Sequence, residues 1–182
     1  MTGDEDLTRL AALVRTIPDF PQPGIQFRDI TTLIADAEGF ALATDLLAIR
    51  AARYRPDMLV AVEARGFIFA AAMARVMGLG VVLARKSGKL PGATIGIDYA
   101  LEYGSDRLEM HAGMLSTGQR TVLVDDLLAT GGTLLAAAEL VGRAGAIAAA
   151  ALCVIDLPDL GGAQRLADAG LPVETLIAFA GD

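Results

Sequence analysis

Short, mostly apolar runs, continuous in Met58–Val62, alternate with stretches of helical periodicity, and this alternation constrains the fold more than any other feature. Met58–Val62, Val81–Ala84, Thr121–Val124, Ala148–Ile155 and Val173–Ala178 are each short enough for a strand. Continuous apolar character, in place of an every-second-residue pattern, marks strands covered on both faces. Between them, helices are predicted at Phe67–Met77, Thr133–Arg143 and Ala163–Ala169, and upstream at Asp6–Ile17 and Glu38–Arg53. Strand and helix in alternation imply a central parallel sheet flanked by helices on both faces, an α/β architecture. Ligands bind such sheets at the carboxyl ends of the strands, so the residues that follow each apolar run are the ones to read for function. The 182 residues suit a single domain, 1–182, and no internal repeat or linker interrupts them.

Composition excludes several classes. Hydrophobic residues make up 54% of the chain, but alanine supplies most of the excess. The longest apolar run, Gly145–Ile155, is about half of the ~20 residues a membrane span needs. No membrane association is expected. The start, Met1-Thr-Gly-Asp-Glu-Asp, is acidic where a secretory signal is basic, which points to the cytoplasm. Cys153 is the sole cysteine, so neither a disulfide nor a cysteine metal cluster can form, and its apolar context reads as core. A net charge of −7 disfavours nucleic acid as a partner, because phosphate backbones are held by extended basic surfaces. An anionic ligand must be held locally, and the candidate cations are Arg65, Arg85, Lys86 and Lys89.

The most informative segment is Val122-Leu-Val-Asp-Asp-Leu-Leu-Ala-Thr-Gly-Gly-Thr133. An apolar strand delivers Asp125 and Asp126 at its end, and the Ala129–Thr133 loop then enters a helix. Two glycines allow close backbone approach, the Thr130 and Thr133 hydroxyls can donate, and a helix N-terminus offers unpaired N–H groups; a phosphate monoester fits there. Two carboxylates beside that cradle would repel the anion unless they engage something else, either a pair of sugar hydroxyls or a coordinated cation. A phosphorylated sugar satisfies both halves. There is no G-x-x-x-x-G-K-[ST] lysine and no G-x-G-x-x-G, so the common nucleotide fingerprints do not apply.

The segment resembles the phosphoribosyl-pyrophosphate signature of the type I phosphoribosyltransferases across twelve residues. The resemblance implies that Asp125 and Asp126, with Leu127 beside them, bind the ribose hydroxyls and that Ala129, Thr130, Gly131, Gly132 and Thr133 hold the 5′-phosphate. Flanking motifs resemble the adenine-using branch of that family. Phe20-Pro-Gln-Pro-Gly-Ile-Gln-Phe-Arg-Asp-Ile-Thr31 is a proline-set, rigid segment, read from the residues alone as a platform or as a loop whose Phe27 plugs the core. By resemblance it belongs to an N-terminal hood over about 18–35, in which Phe27 stacks on the base and the backbone of Gln26 and Arg28 reads its edge. Thr32 stands where many members carry proline, a departure expected to loosen the hood slightly.

Val62-Glu-Ala-Arg-Gly-Phe-Ile-Phe69 follows a strand and opens a helix, so Arg65 and nearby amides form an anion site. It is similar to the family's pyrophosphate loop, which implies contacts from Ala64, Arg65 and Gly66 and a cis peptide at Glu63–Ala64. Arg85-Lys86-Ser-Gly-Lys89 is either an exposed basic turn or a second pyrophosphate contact, and the resemblance favours the second. Leu90–His111, punctuated by Gly96 and Gly104, reads as a mobile hairpin; in the family it is a flexible catalytic lid, about 90–112, with Glu102 and Tyr103 over the substrates. Arg65, Glu102 and Tyr103 are therefore the expected catalytic residues. His111 and Tyr99 read as structural parts of the hairpin.

The implied reaction joins adenine to the sugar of 5-phosphoribosyl-1-pyrophosphate, with AMP and pyrophosphate as products. Mg²⁺ is the implied cofactor, held through pyrophosphate and ribose, with no protein ligand assigned, and a homodimer is the implied assembly. Transfer to hypoxanthine, xanthine or orotate is an alternative, as are a purine-sensing DNA-binding regulator, which this acidic chain has little surface for, and a fragment of a phosphoribosyl-pyrophosphate synthetase, for which no ATP site is seen.

Overall fold

The computed structural model describes residues 3–101 and 104–181. Helix α1 (Gly3–Leu13) leads into a small hairpin of β1 (Arg15–Pro18) and β2 (Gln26–Asp29), followed by α2 (Thr31–Ala35) and α3 (Ala37–Ala52). Then come β3 (Met58–Val62), α4 (Gly66–Met77), β4 (Gly80–Lys86), β5 (Thr94–Leu101), β6 (Gly104–His111), β7 (Arg120–Leu128), α5 (Gly132–Arg143), β8 (Ile147–Asp156), a 3₁₀ turn (Pro158–Leu160), α6 (Gly162–Asp168) and β9 (Val173–Ala178).

The main sheet has the order β5-β6-β4-β3-β7-β8-β9. The strands from β4 to β9 in that order are mutually parallel, as the alternation requires. The β5–β6 hairpin adds two antiparallel strands at one edge, joined to β4 through Arg85 opposite Glu109 and Lys86 opposite Leu108. The sheet is thus mixed, with a parallel centre. Successive residues feed opposite cores: Leu59 and Ala61 of β3 and Val122 and Val124 of β7 join Leu10, Leu47 and Phe69 on one face. Val60, Val62 and Leu123 join Leu134, Leu140 and Leu166 on the other. Continuous apolar runs were needed because both faces of these strands are sealed.

Three expectations are corrected. The first helix stops at Leu13, not Ile17, because Arg15–Pro18 pair antiparallel with Gln26–Asp29; Pro18 biases the residue before it to an extended conformation, and Ile17 lies opposite Phe27. Gly96 and Gly104 do not break the hairpin strands, which stay in register from Thr94 opposite His111 to Leu101 opposite Gly104. A Cβ at position 96 would fall 2.7 Å from the Arg107 guanidinium, so the glycine makes room for that group. Finally, β7 runs four residues past Val124, so the acid pair lies within the strand and not beyond it.

The hood is tied down by polar contacts. Asp29 accepts from the Thr31 hydroxyl (2.6 Å), the Thr31 amide (3.0 Å) and Arg15 Nε (3.2 Å), and these hold its carboxyl down at about 2. Thr32, where the resemblance expected proline, donates its hydroxyl to the Leu13 carbonyl at 2.6 Å, so the departure supplies a tether of its own.

Candidate active site

At the carboxyl end of the parallel strands three clefts lie side by side, and Leu127 lines all of them. The first, about 80 Å³, is walled by Asp125 and the 127–134 segment. Gly131 caps α5 with φ of 79°, a left-handed conformation that favours glycine. The first-turn amides of α5 have no partner within the helix, which makes this cleft an anion cradle.

The middle cleft, about 250 Å³, is lined by Glu63, Ala64, Arg65, Lys86, Tyr99, Asp106, Leu108, Asp125, Asp126, Leu127 and Thr133. Asp126 is buried and lies 2.7 Å from Arg65 Nε. Asp125 has an edge open to the cleft, yet burial, and then the neighbouring Asp126 charge, push its carboxyl well above the ordinary range. Gly66 lets α4 start directly over β7: a Cβ there would sit 2.5 Å from the Val124 carbonyl oxygen and 3.0 Å from Asp125 Cα. Arg65 caps α4, and the peptide joining Glu63 to Ala64 is cis, at the position the resemblance implied.

The two cations that line this cleft, Arg65 and Lys86, are paired with acids, and so is Arg85, which lies behind the Glu63 wall and lines none of the three clefts. Arg65 meets Asp126, Arg85 meets Glu63 at 3.2 Å, and Lys86 meets Asp106 at 3.1 Å. Burial alone would raise the Glu63 carboxyl, but the Arg85 hydrogen bond and the Lys86 amide outweigh it and the net shift is downward. The Asp106 hydrogen bond raises Lys86. Lys89 is exposed and touches Arg85 through its carbonyl, at 3.2 Å.

The third cleft, about 270 Å³ and mostly apolar, is lined by Ile25, Gln26, Phe27, Arg28, Arg65, Leu127, Leu157 and Leu160. Phe20 meets the Phe27 ring edge-on, with centroids 5.2 Å apart, and the Arg65 guanidinium lies 6.0 Å from that ring. A flat, weakly polar molecule fits between these walls. Arg65 belongs to this cleft and the middle one, as Asp125 belongs to the middle one and the first.

A family model for the phosphoribosyl transferase domain matches residues 31–174. The adenine phosphoribosyltransferase of Sphingopyxis alaskensis is 70% identical over 173 residues, which is 95% of this chain and 94% of that one. The chain belongs to the adenine phosphoribosyltransferase family. Among solved structures, the family member from Thermoanaerobacter pseudethanolicus superposes with a TM-score of 0.90 at 43% identity, covering 95% of this chain and 99% of that one. The Saccharomyces cerevisiae enzyme, crystallised with adenine and an imino-altritol bisphosphate, does so with a TM-score of 0.87 at 33% identity, covering 95% and 99%.

Most of the residues singled out by the family resemblance converge on the three clefts: Gln26, Phe27 and Arg28 on the third, Ala64, Arg65, Lys86 and Asp126 on the middle one, and Ala129–Thr133 on the first. Phe27 lines a cleft instead of plugging the core. The Arg28 side chain is engaged elsewhere, donating to Thr16 Oγ1 at 2.7 Å and to the carbonyls of Ala180 and Gly181 at 3.1 and 2.9 Å. Glu102 and Tyr103 lie outside the described residues. His111 Nε2 is 2.8 Å from the Pro91 carbonyl and spans the base of the hairpin, a structural position. Cys153 is buried.

Sequence reasoning missed Leu157 and Leu160, Glu63, Asp106 and Leu108, and it took Tyr99 for hairpin packing alone although Tyr99 also lines the middle cleft. The leucines were findable, because they follow the carboxyl end of β8. Asp106 was not, because its place depends on how the hairpin docks on β4.

Proposed function

We propose that this chain transfers the 5-phosphoribosyl group of 5-phosphoribosyl-1-pyrophosphate to N9 of adenine, giving AMP and pyrophosphate, as the names of its relatives imply. The observation that carries the reading is the row of clefts: an apolar slot beside Phe27, an acid-and-cation chamber, and a glycine cradle, joined by Arg65, Leu127 and Asp125. Their order matches base, activated sugar and 5′-phosphate. Stacking on Phe27 tolerates many rings, so selection for adenine falls to the backbone of Gln26 and Arg28, where an oxo purine would leave buried groups unpaired.

Asp125 and Asp126 accept from the ribose hydroxyls, and Arg65, Arg85, Lys86 and Lys89 take charge developing on the departing diphosphate. N9 of the base bonds to C1 as the C1–O bond breaks, inverting that carbon; the diphosphate leaves with that electron pair and the ring N–H proton of the base is released. Each paired acid keeps its cation positioned until an anion arrives, so binding exchanges a carboxylate partner for a phosphate one. Glu102 and Tyr103 are assigned to the lid over the reacting atoms, where exclusion of water protects an oxocarbenium-like sugar.

Among the described residues no group of three or more acids, histidines or cysteines could cage a metal. The residues present therefore fit Mg²⁺ only as an ion shared with ligand oxygens, near Asp125 and Asp126, where it would neutralise and orient the diphosphate. Salvage of free purine in the cytoplasm is the role that suits this reaction. Incubation with adenine, the activated sugar and Mg²⁺ should yield AMP, with hypoxanthine, xanthine and orotate as parallel substrates. Nucleotide formed from one of those bases but not from adenine would overturn the base assignment, and no product from any of them would overturn the reaction.

We also read the chain as half of a homodimer. Ile68 and Val76 of α4 are 41% and 58% exposed and Leu83 of β4 is 39% exposed, apolar side chains that a second copy would cover. Sedimentation at micromolar concentration should give twice 18.8 kDa; a single species at the monomer mass would refute it.

A further inference from the structure

The segment that runs from the end of β8 into α6 lines one of the three clefts and packs behind another, and nothing in the family motifs assigns it a role. Leu157 and Leu160 line the apolar slot. Just beyond them, in α6, Gly162 and Leu166, both buried, lie under the glycine cradle. A Cβ on Gly162 would overlap the Ala129 carbonyl oxygen and fall 2.9 Å from Leu128 Cδ1 and 3.0 Å from the Ala129 carbonyl carbon. From the other side, a Cβ on Gly131 would overlap Leu166 Cδ1 and fall 3.1 Å from the Gly162 carbonyl oxygen. The two glycines thus face one another with no room for a methyl group between the segments. The connector is also anchored at its start, where the Leu157 amide donates to the Leu128 carbonyl at 3.0 Å.

We propose that Gly162, backed by Leu166, is a positioning residue for the 5′-phosphate loop, setting the height of the Ala129–Thr133 backbone from beneath. This rests on the reading of that loop as the 5′-phosphate site. The nearest contact of Gly162, the Ala129 carbonyl, belongs to backbone, which cannot swing aside as the Leu128 side chain can. An added methyl must push the Ala129 carbonyl outward, and the loop amides move with it. A displacement of about an ångström in a positioning element lowers its contribution roughly a hundredfold. The Phe27 wall of the base slot comes from β2, a separate element, and Leu157 and Leu160 precede the glycine, so affinity for a purine ring is expected to change far less than affinity for the phosphate.

The test is titration of AMP and of adenosine into the full chain and into Gly162→Ala and Leu166→Ala. In the wild type, AMP should bind more tightly than adenosine, and the ratio isolates the 5′-phosphate. Gly162→Ala should weaken AMP by about tenfold or more while adenosine stays within about twofold. Leu166→Ala, which opens space under Gly131 without inserting an atom, should reduce the same ratio by a smaller factor of about threefold. Leu166→Ala also decides the matter if Gly162→Ala fails to fold. An unchanged ratio in the folded variants, or equal losses of AMP and adenosine, would overturn the positioning role. No preference for AMP in the wild type would instead sink the reading of the loop itself, a result visible before either variant is made.

Discussion

Replacing Arg65 with alanine should lower kcat/KM by about a thousandfold, the largest loss expected from any single side chain here. Removing one preorganised donor from a site of developing charge costs about 10²–10³ in turnover, and Arg65 has more than one duty. It lines both the apolar cleft and the acid-and-cation chamber, which the proposed reaction makes the meeting point of the bond being made and the group being expelled. Its ion pair with Asp126 at 2.7 Å also holds in place a carboxylate assigned to the ribose. Without it, a carboxyl side chain only 8% exposed would lose its guanidinium partner, and that penalty falls on the geometry of the acid pair. Arg65 itself is 41% exposed, so most of the effect should appear in catalysis and little in melting temperature. Arg65→Lys should recover only part of the loss, because an ammonium restores the charge without the planar fork that can serve carboxylate and phosphate together. Steady-state kinetics on both variants, with each substrate varied, checks this; an alanine variant within about tenfold of wild type would remove Arg65 from the reaction.

How much of this was legible in the residues depends on whether a feature is local. The parallel core strands were readable because sealing on both faces leaves a continuous apolar run, and β3 and β9 have the bounds the sequence predicts. The acid pair and the glycine loop were readable because strand, turn and helix N-terminus follow one another along the chain. Four features were not. The β1–β2 hairpin hides inside an apparent helix because Leu13 and Val14 continue the helical spacing, and only pairing with a segment eleven residues away reveals Arg15–Pro18 as a strand. The docking of β6 on β4, which brings Asp106 to Lys86, depends on register across the sheet edge. The pairing of these cations with acids is likewise a tertiary fact, since Glu63 and Arg85 are 22 positions apart. The support that Gly162 gives to Ala129 links residues on different loops, and glycine offers no pattern from which to infer it.

Asp125→Asn should separate stability from activity, making the protein more stable at neutral pH and a poorer enzyme. The carboxyl of Asp125 is raised by burial and by the charge of Asp126, so the folded state binds a proton there more tightly than the unfolded chain, whose aspartates titrate near about 3.9. Stability from this group is fully present below about pH 3.9 and is lost as pH rises toward the raised folded value. Asparagine does not titrate and keeps the same shape, and its amide can donate to Asp126 where two carboxylates would repel. The melting temperature of the variant should therefore exceed that of wild type at pH 7, with the gap closing as pH falls toward about 4. Catalysis should move the other way. A hydrogen bond to a charged group contributes about 1.5–3 kcal/mol, so losing the carboxylate that accepts from the ribose should lower kcat/KM by about ten- to a hundredfold or more, mainly through KM for the activated sugar. Thermal melts across pH, paired with kinetics at pH 7, check both halves. A variant that melts below wild type at neutral pH would show that Asp125 is charged and well solvated through the cleft, and one with unaltered KM for the sugar would place the ribose elsewhere.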